Sequence, residues 1–298
     1  MPTVLAAGAA VVDFVFQLDE APSRSEKHRA RDAAIVGGGC AANAAVAVAR
    51  LGGKAVLAAR LGDDVIGDMI IADLEKEDVD CSLVKRIEGR RSSYSSVIID
   101  PQGERSIVNF RDRDIDAGGS WLDKLDLPAF DVALADTRWP DGARVTMQAA
   151  RRRGVPGVID GEAPVREAQD ALDSATHIAF SRAGLQDFNG SDDIETALKR
   201  AADETGAWVC VTQGADGVHW LEDGAMRHMP AFKVDAVDTL GAGDIWHGAF
   251  ALGLAQGKSE EQAIVFAGAA SAIKCTRFGG RAGTPSEKDV EQFLKENS

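Results

Sequence analysis

Cysteine is scarce in this chain and does not cluster. Cys40, Cys81, Cys210 and Cys275 stand far apart without metal-ligand spacing, so a cysteine-held metal is not expected and the thiols read as free groups in a reducing compartment. Positive charge is also short. Lys+Arg 33 against Asp+Glu 47 leave a net charge of −14, which argues against a nucleic-acid or anionic-membrane surface. An anionic substrate would need a local basic pocket inside that repelling field. No apolar run reaches the ~20 residues of a membrane span. The nearest candidate, Val4 to Phe16, contains Asp13 and has no basic segment before it. It therefore reads as a buried strand that turns near Gly8 and continues as a second strand, and the cytoplasm is the expected location. Internal repeats, low-complexity segments and linkers are missing too, and 45% hydrophobic residues are ample for a core. One domain over 1–298 is expected.

What is present centres on Asp238-Thr239-Leu240-Gly241-Ala242-Gly243-Asp244, which runs into the apolar stretch Ile245 to Leu252. Small residues before an apolar-periodic run read as a tight turn opening a helix, with the amides of Gly241, Ala242 and Gly243 pointing forward. Such a helix start favours anions, a transferring phosphoryl group among them. Asp244 then has two readings. It is either a helix-dipole partner or a general base that takes a proton from a substrate hydroxyl beside the anion site. A second small-residue stretch, Gly37-Gly38-Gly39, opens the helical run Cys40 to Leu51. With Ala42 it fits the dinucleotide pattern G-x-G-x-x-A, and Asp63 follows some twenty residues later. Small residues that let a sugar approach the backbone explain it equally well.

The remaining pattern is α/β. Strands at 2–9, 56–60, 132–136, 156–160, 177–181 and 208–212 alternate with helices at 65–77, 142–153, 165–174 and 194–205. That order implies a doubly wound, mostly parallel sheet with ligands at the carboxyl ends of its strands. Residues 12–18, about 28–36 and a hairpin of 92–100 with 104–110 around Pro101-Gln102-Gly103 form a separate small sheet. A short β element (217–222, 226–232) leads to the Asp238 stretch, and helices at 260–276 and 286–296 flank the loop 279–283.

Asp238 to Asp244 resembles the C-terminal signature of the ribokinase-like (phosphofructokinase B) carbohydrate kinases, and Gly37 to Ala45 resembles their N-terminal signature. The resemblance runs over nearly the whole chain and implies a three-layer α/β fold with a small β lid formed by about 12–36 and 92–113, which is often also the dimer contact. It implies Asp244 as base, with Gly241, Ala242 and Gly243 as the anion hole. Asp13, Gly38, Gly39 and Asn43 become sugar-binding residues, and the stretch Thr212-Gln213-Gly214-Ala215-Asp216-Gly217 resembles the nucleotide loop. Ser181, Thr212, Gly214 and Gly217 would then bind ATP, with adenine near Ala267 and Ala270. Magnesium is implied. The family's Asn-x-x-Glu, however, is replaced by Ser181-Arg182-Ala183-Gly184, so its ligands are unassigned, with Asp160 or Glu162 as the oxygen donors at hand. Asp238 either joins a monovalent-cation site with the 279–283 loop, as in some relatives, or stabilises a turn. The turn is the favoured reading.

Lys27, Asn109 and Arg138 together resemble the sulfonate-binding set of sulfofructose kinases, a branch with which longer matches at 134–143, 230–235 and 274–283 agree. The expected protein is an ATP-dependent sugar kinase acting on a primary hydroxyl of an anionic ketose, 6-deoxy-6-sulfofructose first. A fructose 6-phosphate, tagatose 6-phosphate or neutral-sugar kinase is the alternative within the class. A nicotinamide oxidoreductase and a non-catalytic sugar sensor are the alternatives outside it. Neither nucleic acid nor membrane is an expected partner, and a homodimer through the lid is.

Overall fold

Strand 3–8 is apolar on both sides, and both sides are used. Val4 and Ala6 enter one core while Leu5 and Ala7, next to them in sequence, enter a second core across the sheet. A strand buried on both faces belongs in a parallel sheet covered by helices. The computed structural model, which describes residues 1–20, 27–101, 105–116 and 120–297, has that architecture.

In chain order the strands are β1 (Thr3–Gly8), β2 (Val11–Gln17), β3 (Asp32–Gly38), β4 (Lys54–Gly62), β5 (Val79–Ile87), β6 (Tyr94–Ile99), β7 (Arg105–Phe110), β8 (Val132–Asp136), β9 (Gly157–Gly161), β10 (His177–Ser181), β11 (Trp208–Thr212), β12 (Val218–Glu222) and β13 (Ala225–Met229). The helices are α1 (Cys40–Arg50), α2 (Val65–Lys76), α3 (Ser120–Asp123), α4 (Pro140–Arg153), α5 (Gln169–Leu172), α6 (Arg182–Asn189), α7 (Ile194–Thr205), α8 (Ala242–Ala255), α9 (Glu260–Cys275) and α10 (Glu287–Glu296).

The large sheet runs β13-β12-β11-β10-β9-β8-β1-β4-β5, parallel from β11 to β5 and antiparallel at β12 and β13. Residues of α1, α8 and α9 fill the core on one face, and residues of α4, α6 and α7 fill the other. The small sheet runs β3-β2-β6-β7. Its register aligns Asp13 with Ser95 and Ser95 with Asn109, so these three share one face. Phe14, Ile35 and Val108 lie on the opposite face, where Ile35 and Val108 are exposed.

Strand β5, helix α6 and the single turn of α3 were not expected from the sequence. Strand β5 continues the sheet beyond β4, but as an edge strand it mixes charged, polar and apolar residues without a clear period and offers no apolar run to detect. Helix α6 begins at Ser181, whose Oγ accepts from the Gly184 amide at 2.9 Å, an N-cap hidden in the expected loop. The helix expected at 165–174 is a 3₁₀ turn (Arg166–Ala168) followed by the single turn of α5. Residues 102 and 103 of the expected hairpin turn and the first half of the basic stretch from Pro22 lie outside the described residues.

Helices α1 and α8 approach closely where Gly248 of α8 meets the alanine-rich face of α1. A Cβ at Gly248 would run into the backbone of Ala44. Gly248→Ala should therefore push the helices apart, destabilise the protein by about 1–3 kcal/mol and lower turnover, because this contact sets the spacing of Asn43 and Asp244. Urea unfolding and initial rates check both effects.

Candidate active site

The carboxyl ends of β1, β4, β8, β9, β10 and β11 deliver Gly8, Gly62, Asp136, Asp160, Ser181 and Thr212 to one edge of the sheet. Asp136 organises this edge. Its Oδ2 accepts from the amides of Ala9 (2.8 Å) and Ala41 (3.1 Å), and its Oδ1 accepts from the amide of Arg138 (2.9 Å). One carboxylate thus ties the exit of β1, the first turn of α1 and the exit of β8. Gly8 leaves room for it, since a Cβ there would strike the carboxylate.

Helix α8 starts at Gly241, which is in the left-handed region at φ 75°. The first ladder bond runs from Ile245 N to the Gly241 carbonyl at 3.0 Å, so the amides of Gly243 and Asp244 point out ahead of it. The Ala242 amide differs from expectation. It turns back onto the Thr239 carbonyl at 3.2 Å, because the tight turn before the helix uses it. Nothing lies within 4 Å of where a Gly243 Cβ would stand, so the helix start is open to a ligand.

Asp244 lies beside this opening and accepts from Asn43 Nδ2 at 2.6 Å. Burial raises its carboxyl above the ordinary value, while the Asn43 hydrogen bond and His247 oppose that shift. The Cys40 sulfur and carboxylate oxygens of Asp160 and Asp244 lie within 4.8 Å of one another. Burial pushes Asp160 up to about 7 against the pull of His247, with Asp244, Asp136 and Glu162 pushing further. His247 is held by the carbonyls of Gly243 (2.8 Å from Nδ1) and Ala179 (3.1 Å from Nε2). These crowded acids suit a hard divalent cation through their oxygens, and the thiol is no ligand for magnesium.

The small sheet faces this edge across a cavity of about 350 Å³ lined by the backbone at Gly8, Ala9 and Gly39 and by Asn109, Arg60, Arg111 and Arg138. Asn109 donates to Ser95 Oγ at 3.1 Å. Arg111 donates to the Arg138 carbonyl at 2.8 Å, and Arg138 Nη1 donates to the Ala163 carbonyl at 2.7 Å. Burial, with Arg111 behind it, pushes Arg60 down to about 9. Lys27 is exposed before β3 and is not among the lining residues. Arg60 and Arg111 were missed from the sequence. Arg111 was accessible to it, because strand alternation puts 109 and 111 on one face.

Asp13, Gly38 and Gly39 lie together. A Cβ at Gly38 would strike the Asp13 carboxylate, and one at Gly39 would strike the backbone of Ala9 and Ala10. Of the residues expected to bind nucleotide, Ser181 caps α6 and Thr212 Oγ1 donates to the Phe180 carbonyl at 3.4 Å. Gly214 and Gly217 have positive φ, and Gly217 is required by the close backbone of Met229. Ala267 and Ala270 are fully buried, since the helical period turns them into the core. Gly268 and Ser271 form the half-buried edge of α9.

Asp238 does not leave a carboxylate for a monovalent cation. It accepts from the amides of Leu240 (2.9 Å), Gly279 (3.1 Å) and Gly280 (2.9 Å), and its Oδ2 lies 3.2 Å from the ammonium of Lys274.

The sequence matches the profile of the pfkB family carbohydrate kinases over residues 1–287. The chain belongs to that family. It is 28% identical to the ribokinase of Bacillus subtilis, over 99% of this chain and 100% of the relative. It is 30% identical to the ATP-dependent ribose-1-phosphate kinase of Halopiger xanaduensis, over 99% of each. Among solved structures it superposes on a candidate ribokinase from Agrobacterium tumefaciens with a TM-score of 0.92, 35% identity and 99% and 98% coverage of the two chains. The protein is therefore a phosphotransferase acting on a sugar, with the ribokinase-like fold. The dinucleotide reading of Gly37 to Ala42 falls with this assignment. It fails structurally too, because Gly37 and Gly38 are the last residues of β3, which pairs antiparallel with β2 in the small sheet, so no strand of the parallel sheet leads into them. No helix among the described residues is long and apolar enough to cross a membrane.

The Asp160 shift makes stability depend on pH. Its folded value near 7 lies above the ordinary 3.8, so the stability it contributes is complete below the lower value and is lost as pH rises through the upper one. Without divalent cations, Tm should fall from about pH 5 to 8 more steeply in the wild type than in Asp160→Asn. Identical slopes would refute the shift.

Proposed function

We propose that this pfkB-family kinase transfers the γ-phosphoryl group of ATP to a primary hydroxyl of a ketose whose far end is anionic. The substrate assigned is 6-deoxy-6-sulfofructose, giving its 1-phosphate. The observation that carries the anionic class is the convergence of Arg60, Arg111 and Arg138 on one cavity inside a chain of net charge −14. A neutral sugar would leave the half-buried guanidiniums of Arg60 and Arg138 to be compensated by protein alone. A planar fork of donors matches the oxygens of a sulfonate.

In this reading Asp244 accepts the hydroxyl proton, and its raised pKa brings its basicity closer to the working pH. The hydroxyl oxygen forms the new bond to γ-phosphorus, and the bond from that phosphorus to the β-bridging oxygen breaks with its electron pair leaving on ADP. Asn43 holds the carboxylate in position, and the start of α8 at Gly241 and Gly243 meets the developing charge. Asp160 and Glu162 would hold magnesium, which when bound neutralises phosphate charge. Asp13, Gly38 and Gly39 take the sugar hydroxyls and backbone. The small sheet acts as lid, and its outward Ile35, Tyr94 and Val108 support a homodimer through that face.

A second reading, a sugar-phosphate kinase, is favoured by the same three guanidiniums, which can neutralise a dianion. The Halopiger relative, named for ribose 1-phosphate, is consistent with it.

Asp244→Asn keeps the shape and loses the base, so kcat should fall by roughly 10²–10⁴ with ATP binding nearly unchanged. A variant keeping most of its turnover would exclude Asp244 as base. For specificity, kcat/KM is compared for sulfofructose, fructose 6-phosphate and fructose. Sulfofructose should lead in the wild type, and Arg138→Ala should reduce its use far more than ATP binding. A lead for fructose 6-phosphate would select the second reading, and a lead for fructose would remove the anionic class.

A further inference from the structure

Lys274 is a charged side chain with no exposure at all, placed in the last turn of α9. Its ammonium donates to the backbone carbonyl of Asp238 at 2.6 Å and pairs with the Asp238 carboxylate at 3.2 Å. A buried ammonium is costly unless its donors are used, so its position is built rather than incidental. The same carboxylate gathers the Leu240, Gly279 and Gly280 amides, and the Val237 and Asp238 amides return to the Cys275 carbonyl at 2.8 and 3.1 Å. The lysine therefore sits where the loop leading to Gly241 meets the loop leading out of α9. Opposing the effect of burial, the Gly280 and Leu240 amides and Lys274 hold the Asp238 carboxyl below its ordinary value, so the pair is ionic.

We infer that Lys274 is a covalently attached cation that orders the Asp238–Gly241 loop and so positions the phosphoryl-binding start of α8, making turnover independent of dissolved monovalent cations. The ammonium meets a carboxylate and a main-chain carbonyl, oxygen ligands that a dissolved monovalent ion would otherwise need. It is a positioning residue, since it touches neither substrate nor the reacting oxygen. Removing it leaves a buried carboxylate and carbonyl with a gap of ammonium size, which a small monovalent cation can fill and a bulky one cannot.

The inference rests on the kinase reading of α8, and the test separates the two. Rates are measured with ATP, magnesium and sulfofructose or fructose 6-phosphate, with tetramethylammonium as the sole monovalent cation and then with potassium or methylammonium. Thermal unfolding is followed in the same buffers and needs no substrate. Wild-type kcat should change by less than about twofold between buffers, with Tm equally indifferent. Lys274→Ala should lose about 10- to 100-fold in kcat with a smaller change in the KM for ATP. Potassium or methylammonium should restore part of that kcat and raise its Tm, while tetramethylammonium does neither. If Lys274→Ala does not fold, Asp238→Asn with Lys274→Met removes both charges, and its Tm should be as cation-insensitive as that of the wild type. Potassium activation of the wild type, a Lys274→Ala Tm indifferent to cation size, or a double variant still stabilised by potassium would each overturn the inference. Absence of turnover on both sugars, with the unfolding results as expected, would count against the substrate and leave the built-in cation standing.

Discussion

Bringing three carboxylates together at the edge of one sheet is the constraint on which the rest of the site depends. Asp136, Asp160 and Asp244 are all close enough to influence one another, and burial raises each above its ordinary pKa. They differ in what surrounds them. Asp136 has its oxygens filled by three amides and serves the architecture. Asp244 has one strong donor, Asn43, and an open helix start beside it. Asp160 has His247 near it at 3.6 Å and is the acid pushed up to about 7. Proximity sets the repulsion, and the number of donors decides which acid is spent on structure and which is kept for chemistry.

Positive charge is arranged to match. A chain with an overall excess of acids concentrates Arg60, Arg111 and Arg138 around one cavity and seals Lys274 beneath the loop that leads to α8. The guanidiniums line an open cavity and the ammonium is sealed against main chain and carboxylate, so in the proposed reading the two kinds of cation divide between recognition and positioning. Arginine suits the first task because its fork can grip an oxyanion. Lysine suits the second because a compact point charge fits between a carboxylate and a carbonyl.

Much of the fold was legible because its strongest signals are local. Residues 132–136, 177–181 and 208–212 are short apolar runs that became strands with the bounds expected, and α7 starts and ends where its pattern did. Edge strand β5 was hidden because a strand with one solvated side carries charges such as Asp80, Lys85 and Arg86 in its sequence. Helix α6 was hidden because only its cap, Ser181, marks its start. In the site, Asp244 and the glycines around it were legible, since small residues before an apolar helix leave few other conformations. Ala267 and Ala270, expected near the adenine, face the core, because sequence alone does not fix the phase of α9 against the sheet.

The amino-acid sequence by itself determined the layer architecture, the family and the position of the glycine-led start of α8. Each of these rests on contiguous residues whose periodicity or backbone freedom is written in a short stretch. The tertiary structure alone decided that Arg60 joins Arg111 and Arg138 while Lys27 stays outside, that Asn43 holds Asp244, and that Lys274 answers Asp238. Those pairs are separated by tens to hundreds of positions. The energy of a charge depends on what lies within a few ångströms of it in a desolvated interior, and sequence distance carries no record of that.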